Sequence, residues 1–291
     1  MRVFNAIKLI ILVIIIQSCA SSKFIEEGNT AFNSQNYEEA LKSYDQIIES
    51  LESNGKKAKA PVYANAGISA LQLEQFDKAQ KFLESAKELQ YSSPELYESL
   101  AKVYRVIDNL SKEITALETY REKYPQGVNI KTVNVRLIET YVESENWELA
   151  MNIWSQLKEQ AQSDVNLLAS YLTINKNLNN TVECDNLAKQ ISNIDSNNTT
   201  VLEYYAEKYF WKAENLYTTE MKAYKEHRTS SQYKKLLKAL DEVWPNFQKS
   251  RDYFLKLHNI DPKPEYAGYL AKIYTRYDDK QKAAYYEKKA K

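Results

Sequence analysis

The sequence predicts an all-α protein built from a repeating pair of antiparallel helices. Three times an aromatic residue is followed by alanine three positions later: Tyr37 and Ala40, Phe76 and Ala79, Trp147 and Ala150. The intervals between these alanines are 39 and 71 residues, close to one and two periods of about 34 residues, which is typical of stacked helix pairs. Only 5 Gly and 6 Pro interrupt the chain, and no run alternates apolar and polar residues as a strand does.

The composition narrows the class of protein further. With 27% charged and 44% hydrophobic residues, the 291-residue chain can form a packed core. The 39 basic and 39 acidic residues balance, so no overall attraction to nucleic acid is expected. We expect the 23 tyrosines to fill helix–helix contacts while their hydroxyls reach water. The two cysteines, Cys19 and Cys184, lie in different contexts and do not predict a disulfide framework.

The N-terminus predicts an export signal. Arg2 and Lys8 precede an unbroken apolar run over 9–16. Such a run covers only about 12 Å as a helix, far short of the ~30 Å hydrocarbon core of a bilayer. A short basic segment before a short apolar one is typical of secretory signals. The run ends at Ile16-Gln17-Ser18-Cys19, which resembles the lipobox of bacterial lipoproteins.

This resemblance implies cleavage before Cys19 and acylation of its side chain. Residues 1–18 would then be a lipoprotein signal peptide and 19–23 a lipidated linker. Because Ala20 is not the aspartate that retains lipoproteins at the inner membrane, we expect the exported protein to be anchored at the outer membrane, on its periplasmic face or at the cell surface. The alternative is an ordinary signal peptide followed by a coincidental cysteine.

The aromatic-to-alanine spacing also supplies a register along the whole chain. The register can be compared with the tetratricopeptide repeat, which places a bulky residue at position 4, a small one at 8, a bulky one at 11 and a small one at 20. Glu113 departs from the pattern at position 20 of the third unit, where Ala116 is a nearby substitute. The residues in register in the other units include Phe24, Gly28, Tyr63, Gly67, Leu137, Tyr141, Leu168, Cys184, Ala271, Tyr274 and Ala283.

This register resembles the tetratricopeptide repeat. The resemblance implies a right-handed superhelical solenoid of about seven helix pairs whose surface holds other molecules. Five units occupy 24–198, a sixth occupies 199–262 and a seventh occupies 263–291. Cys184 stands at a small position and is interpreted as a buried structural residue, the alternative being a reactive thiol.

The sixth unit is too long for the register by about thirty residues, from 211 to 246. This stretch contains no Gly, and its apolar spacing predicts that both helices extend into a long hairpin with its turn near Arg228 to Ser231. The segments around Ala213 to Tyr224 and Arg251 to Phe254 resemble a recurrent element of uncharacterised tetratricopeptide proteins of the Bacteroidota cell envelope. Near the tip, Glu226 is outnumbered by Lys222, Lys225, Arg228, Lys234, Lys235 and Lys238.

These six basic residues have two interpretations. In the first, they form a basic surface that binds an acidic partner or anionic lipid head groups. In the second, they form a solvated face that keeps the hairpin soluble. In the repeat family, further binding residues lie on the first helix of each pair. Carried over to this chain, those positions are Asn29, Phe32, Lys102, Arg105, Glu139, Lys176, Lys272 and Arg276.

No pattern of catalytic or metal-binding residues is present in the sequence. His227 and His258 do not have metal-ligand spacing, and glycine-rich phosphate loops and nucleophile motifs are missing. We therefore expect no enzyme, no metal and no cofactor. The sequence predicts a lipid-anchored envelope scaffold that binds other envelope proteins or peptide segments and does not bind nucleic acid. We expect it to serve in the assembly of envelope or outer-membrane complexes. The alternative is a carbohydrate- or peptidoglycan-binding lipoprotein that uses exposed Tyr and Trp rings.

Overall fold

The computed structural model describes residues 23–157, 161 and 164–291. Throughout these residues the regular structure is helical, without a strand, which confirms the predicted all-α class. None of the helices found there combines the length and apolar character needed to cross a bilayer. The predicted signal peptide and Cys19 lie outside the described residues.

The helices follow one another as consecutive antiparallel pairs. Helices α1–α8 form one compact unit, the N-terminal body, and α9–α14 form a second, the C-terminal body. Each odd-numbered helix is the first of a pair, so the described residues hold the seven pairs that the register predicts. The helices are α1 (23–33), α2 (Tyr37–Glu52), α3 (Ala60–Gln72), α4 (Phe76–Glu88), α5 (Pro94–Val106), α6 (Leu110–Lys123), α7 (Ile130–Glu143), α8 (Trp147–Leu157), α9 (Val165–Asn177), α10 (Thr181–Ile194), α11 (Thr199–Glu226), α12 (Ser230–Ile260), α13 (Pro264–Arg276) and α14 (Lys280–Lys289).

Small residues set the distance between the two helices of a pair. The residue at position 20 is buried in all seven pairs: Ala40, Ala79, Glu113, Ala150, Cys184, Ser250 and Ala283 are each at most 7% exposed. Gly67, at position 8 of the second pair, shows how close the approach is. A Cβ atom there would lie 2.6 Å from Cγ of Leu83, which is inside van der Waals contact. Larger side chains at these points would force the helices apart.

The turn inside each pair uses a residue in the left-handed conformation. Five residues before position 20, φ lies between 55° and 61° in six of the pairs, at Gln35, Glu74, Asp108, Glu145, Asn179 and Asp278. Such a conformation ends a helix sharply and returns the chain antiparallel. It is uncommon for residues other than glycine, so its repetition indicates that pair packing imposes it.

The sixth pair lacks this turn. The corresponding position, five residues before Ser250, is Pro245, whose ring holds φ near −65° and excludes the left-handed conformation. The chain instead continues as helix to a turn at 227–229, and Pro245 lies inside α12. Thr229 caps α12 by accepting a hydrogen bond from the backbone N–H of Gln232 at 3.1 Å. The predicted long hairpin is confirmed, and its turn overlaps the predicted segment from Arg228 to Ser231.

Buried aromatic and aliphatic residues hold the hairpin to the C-terminal body. Phe210 of α11 packs against Phe247 of α12 with ring centroids 6.0 Å apart, and Tyr269 of α13 lies 4.9 Å from Phe210. The hydroxyl of Ser250 donates to the carbonyl oxygen of Ala206 at 2.8 Å, so this small residue also links the two helices by a hydrogen bond. The lower part of the hairpin therefore belongs to the core of this body.

Tyrosine hydroxyls connect consecutive pairs. In four places a tyrosine on the first helix of a pair donates to a carboxylate on the second helix of the preceding pair. These hydrogen bonds join Tyr63 to Glu52 at 2.9 Å, Tyr104 to Glu84 at 2.9 Å, Tyr141 to Glu118 at 2.6 Å and Tyr204 to Asp185 at 2.7 Å. The expectation that tyrosine hydroxyls reach water is therefore wrong for these rings, because a carboxylate lies within reach as the ring becomes buried.

Burial, and then the neighbouring carboxylate, raise the pKa of Tyr104 and Tyr141 above the usual value of 10.0. The folded protein keeps these protons to higher pH than the unfolded chain does. We therefore expect the free energy of unfolding to fall as the pH rises above about 10. The double variant Tyr104→Phe/Tyr141→Phe, measured by urea denaturation between about pH 8 and 12, should lose less stability over this range than the wild type.

At neutral pH each of these substitutions should cost about 0.5–1.5 kcal/mol, the net value of one hydrogen bond. Tyr285→Phe is the matched control, because that ring is 52% exposed. An unchanged pH dependence in the double variant would show that these two phenols do not determine the alkaline limit of stability.

Candidate functional site

A pocket of about 230 Å³ lies between the first helices of the third and fourth pairs, α5 and α7. It contains Lys102 and Arg105, two of the residues that the repeat register predicts for binding. Asn129, which precedes α7, and Arg136 of α7 face the same space. The remaining lining residues are Glu98, Ala101, Leu117, Thr132 and Val133.

A buried carboxylate organises one side of this pocket. Glu113 of α6 stands where the register expects a small residue, and only 1% of it is exposed. Arg136 binds both carboxylate oxygens, with Nε 2.7 Å from Oε1 and Nη2 3.0 Å from Oε2. Arg105 donates its Nε–H to Oε1 at 3.1 Å. Two arginines from two neighbouring helices therefore neutralise one buried acid, as a charge inside a protein requires.

The same arginines explain how the third pair tolerates its departure from the register. The carboxylate of Glu113 meets Arg105 from the other helix of its own pair and Arg136 from the first helix of the next pair. Ala116, the nearby substitute that the register offers, is also buried, at 4% exposure. Hydrogen bonding to Glu113 raises the pKa of Arg136 above its usual range, so this guanidinium remains charged.

The charges at the pocket are mixed. Arg136 is only 16% exposed and also contacts Glu139 at 3.0 Å and Glu143 at 3.1 Å, so its charge is fully engaged. Arg105 is half exposed and uses one of its nitrogens. Lys102 is exposed and forms no ion pair with any acid in the described part of the chain. Lys102 and the outer nitrogens of Arg105 are therefore the groups open to a ligand.

Glu98, on the same helix as Lys102 and Arg105, supplies the opposite charge at the pocket. Both of its carboxylate oxygens accept from the side-chain amide of Asn129 at 2.9 Å, which fixes the carboxylate at the pocket edge. A ligand in this pocket therefore meets both cations and a carboxylate along the same helix, α5. A polypeptide segment carries both signs of charge together with amide donors and acceptors, and it matches this arrangement.

The C-terminal body has a pocket at the equivalent place, between the first helices α11 and α13. Its volume is about 310 Å³, and Trp211, Lys272 and Thr275 line it. Arg276 forms a bidentate ion pair with Glu214, and its guanidinium lies 4.7 Å from the ring centre of Tyr217. Trp211 is 48% exposed, so about half of this side chain is open to solvent beside the pocket.

The other residues predicted for binding lie elsewhere. Asn29 of α1 accepts a hydrogen bond from the Tyr44 hydroxyl at 2.7 Å and so supports pair packing. Phe32 is half-buried and meets Tyr37 edge to face at 6.0 Å. The six basic residues of the hairpin are all exposed: Lys222, Lys225, Arg228, Lys234, Lys235 and Lys238. Their role in binding stays a prediction.

Neither metal binding nor thiol chemistry finds support among the described residues. No group of three or more His, Cys, Asp or Glu side chains there is arranged to hold a metal ion. Cys184 is 1% exposed, and burial raises the pKa of its thiol. A buried neutral thiol is a poor nucleophile, which supports the structural interpretation of this residue.

The register missed Glu113 and Arg136 as partners at this site. An acid at a position that should be small was a signal that a cation must lie nearby, since a buried carboxylate needs one. The signal does not identify the cation, because Arg136 is 23 residues away in sequence on another helix.

Comparisons with known proteins support the fold. No protein-family model and no curated protein sequence matches the chain. The chain is similar to the crystal structure of YrrB, a tetratricopeptide-repeat protein described as having an unusual peptide-binding site. The TM-score is 0.50 and the sequence identity is 16%, and the match covers 62% of this chain and 89% of YrrB. The predicted tetratricopeptide resemblance is therefore confirmed as a fold.

Two further similar structures come from the Bacteroidota. One is the C-terminal part of a tetratricopeptide protein of Cytophaga hutchinsonii, with a TM-score of 0.48, 15% identity, and coverage of 91% of this chain and 93% of that chain. The other is a tetratricopeptide protein of Parabacteroides merdae, with a TM-score of 0.46, 15% identity, and coverage of 93% and 92%. Both resemble this chain at the level of the helical repeat.

The energetic link between Glu113 and Arg136 can be measured by a double-mutant cycle. We expect Glu113→Ala to destabilise the protein although it restores the small residue of the register, because it leaves two arginines without their shared acid. Each single change, Glu113→Ala or Arg136→Leu, should cost about 1–3 kcal/mol, the cost of a buried polar group left without its partner. The double variant should cost less than the sum by about 1–3 kcal/mol.

The measurement is chemical denaturation of the four proteins at neutral pH. Lys78→Leu with Asp45→Ala forms a control cycle, because that pair is 2.8 Å apart but more exposed, and its coupling should stay below about 1 kcal/mol. Additive effects at Glu113 and Arg136 would contradict the arrangement described above.

Proposed function

We propose, on the basis of the tetratricopeptide fold shared with these proteins, that the chain is a lipid-anchored scaffold of the bacterial cell envelope that binds polypeptide segments. The pocket between α5 and α7 is the observation that carries this proposal. It presents an exposed cation, Lys102, a half-exposed guanidinium, Arg105, and an oriented carboxylate, Glu98, around a space open to solvent.

The size of the pocket supports a polypeptide ligand. Small-molecule and cofactor sites usually occupy about 300–1,000 Å³ and enclose most of their ligand. The space of about 230 Å³ between α5 and α7 is smaller than that. It suits one or two side chains of a segment that continues along the helices, in the manner of peptides bound in grooves.

The ion pairs of Glu113 with Arg105 and Arg136 preorganise the pocket for a ligand. Arg105 is held from α5 and Arg136 from α7 by one carboxylate, so the two helices that border the pocket are fixed relative to each other. A binding site on rigid elements loses less conformational entropy when its ligand docks. The Lys102 side chain is free to adjust, since it makes no ion pair within the described residues.

The envelope part of the proposal rests on the lipobox-like segment that ends at Cys19. A lipidated cysteine would keep the helix pairs close to a membrane, where exported proteins pass or assemble. Complex assembly at the outer membrane is the role we infer from this combination of anchor and binding surface.

A second candidate function is binding of carbohydrate or peptidoglycan. The half-exposed ring of Trp211 beside Lys272 and Thr275 favours it, because sugars stack on such rings. At this pocket the ring of Trp211 has no exposed neighbour, however: the other ring residue that lines it, Phe210, is buried. We therefore favour the polypeptide ligand.

Site-specific photo-crosslinking tests the polypeptide proposal. A photoreactive amino acid in place of Thr132, an exposed residue that lines the pocket, should form adducts with polypeptide when the full chain is expressed in its own envelopes. Adding Lys102→Glu should reduce adduct formation at least about fivefold, the effect of about 1 kcal/mol.

Lys42→Glu is the matched control, because Lys42 is an exposed lysine of α2 far along the chain from the pocket. Adducts confined to glycan, or adducts that fall equally in both lysine variants, would contradict the proposed site.

The anchor is tested independently by metabolic labelling with a fatty-acid analogue. Wild-type protein should carry the label and fractionate with membranes, and Cys19→Ala should lose the label because acylation occurs on the cysteine. Cys184→Ala is the control and should remain labelled. Label that persists in Cys19→Ala, or unlabelled wild type, would falsify lipidation at this residue.

A further inference from the structure

One side of the extended hairpin exposes more apolar surface than its own folding requires. On α12, Tyr233 is 47% exposed, Leu237 45% and Trp244 36%. The spacing of these residues, four and then seven, places them on one face of the helix. The fully buried positions on this part of α12 are Leu236 and Val243, whereas these three residues keep a third to a half of their surface exposed.

Aromatic rings of α11 continue the exposed strip of α12. Tyr224 and Tyr233 have ring centroids 5.5 Å apart, and Tyr217 and Trp244 have centroids 6.1 Å apart. The five residues Tyr217, Tyr224, Tyr233, Leu237 and Trp244, called the hairpin face below, thus form one apolar surface that spans both helices.

Basic residues surround the tip beside this face. Between 222 and 238 the chain carries six lysines and arginines and one acid, Glu226. All six are exposed, and none forms a salt bridge within the described residues. They lie on the end of α11, in the turn and on the start of α12, so the positive charge covers the tip from several sides.

We propose that the hairpin face docks onto an anionic lipid surface, with its rings at head-group depth and its lysines among the head groups. Tyrosine and tryptophan rings favour the membrane–water interface because one end is apolar and the other is polar. Lysines rimming an apolar strip extend their stems along it and their ammonium groups outward. This inference requires neither the α5–α7 pocket nor acylation of Cys19.

Charge and residue type favour lipid over a protein occupant. The cations lack partners and are distributed around the tip, which fits a surface of uniformly negative head groups rather than one complementary patch. Three substantially exposed apolar side chains on α12 are too few for deep insertion. Docking therefore needs the electrostatic attraction as well, and it should weaken as salt screens the charges.

A photoreactive residue at Leu237 in the full-length chain tests this contact directly. The protein is mixed with vesicles of phosphatidylcholine alone or with 30% phosphatidylglycerol, and lipid adducts are measured after irradiation. We expect adducts at position 237 with the anionic vesicles and at least a fivefold decrease with neutral vesicles or in 0.5 M NaCl. The same probe at Val182, an apolar residue of α10 that is 77% exposed, should give background only.

Charge reversal supplies the second arm of the experiment. The triple variant Lys234→Glu/Lys235→Glu/Lys238→Glu should reduce lipid adducts at least fivefold. The triple variant Lys42→Glu/Lys56→Glu/Lys189→Glu changes the net charge equally at exposed sites elsewhere and should not. Circular dichroism of both variants establishes that the helices remain folded.

Three outcomes would overturn the proposal. One is the absence of lipid adducts at position 237, and another is equal adduct formation with neutral and anionic vesicles. The third is adduct formation with a second copy of this chain in place of lipid, which would identify the hairpin face as a dimer contact. Because the probe at Leu237 reports locally, none of these results depends on whether polypeptide binds beside Thr132.

Discussion

The close approach of paired helices at one buried residue is the constraint on which the other features depend. A side chain of alanine size at this point lets two helix backbones meet, and the aromatic residues around it then fill the remaining space. Ala40, Ala79 and Ala150 have no exposed surface at all. The left-handed turns follow from the same requirement, because a chain that must return immediately along its own helix needs a sharp reversal.

The single large residue at this point, Glu113, shows how the constraint can be relaxed and used. A carboxylate in the position of a small side chain is tolerated because two arginines, one from its own pair and one from the next, neutralise it. The third pair has less apolar packing at this point, but the ion pairs of Glu113 link α5, α6 and α7. The candidate binding pocket borders this link, so a departure from the repeat pattern and a polar surface site coincide.

The repeat register predicted the helix pairs, the long hairpin and the placement of Lys102 and Arg105 on first helices, because these follow from local spacing. Thr229 was predictable as a cap from its side chain and its place in the turn. The register could not predict the partners of Glu113, nor the acids that accept from the tyrosine hydroxyls, because such contacts join residues from different register positions on separate helices. The exposed apolar face of α12 was also beyond it, since apolar spacing alone does not distinguish a side that closes a hairpin from a side that faces solvent.

Pro245 has a consequence for how such an array can vary in reach. The six other pairs turn where this proline stands, and Trp244 beside it contacts Tyr277 at the corresponding level of the seventh pair, with ring centroids 6.0 Å apart. From Pro245 back to Ser230, the first residue of α12, the helix extends for about 22 Å at 1.5 Å per residue. Residues inserted beyond Pro245 lengthen both helices of the sixth pair, and the chain returns to the same pair after the turn. The hairpin can therefore lengthen or shorten without changing the number of repeats or the contacts between them.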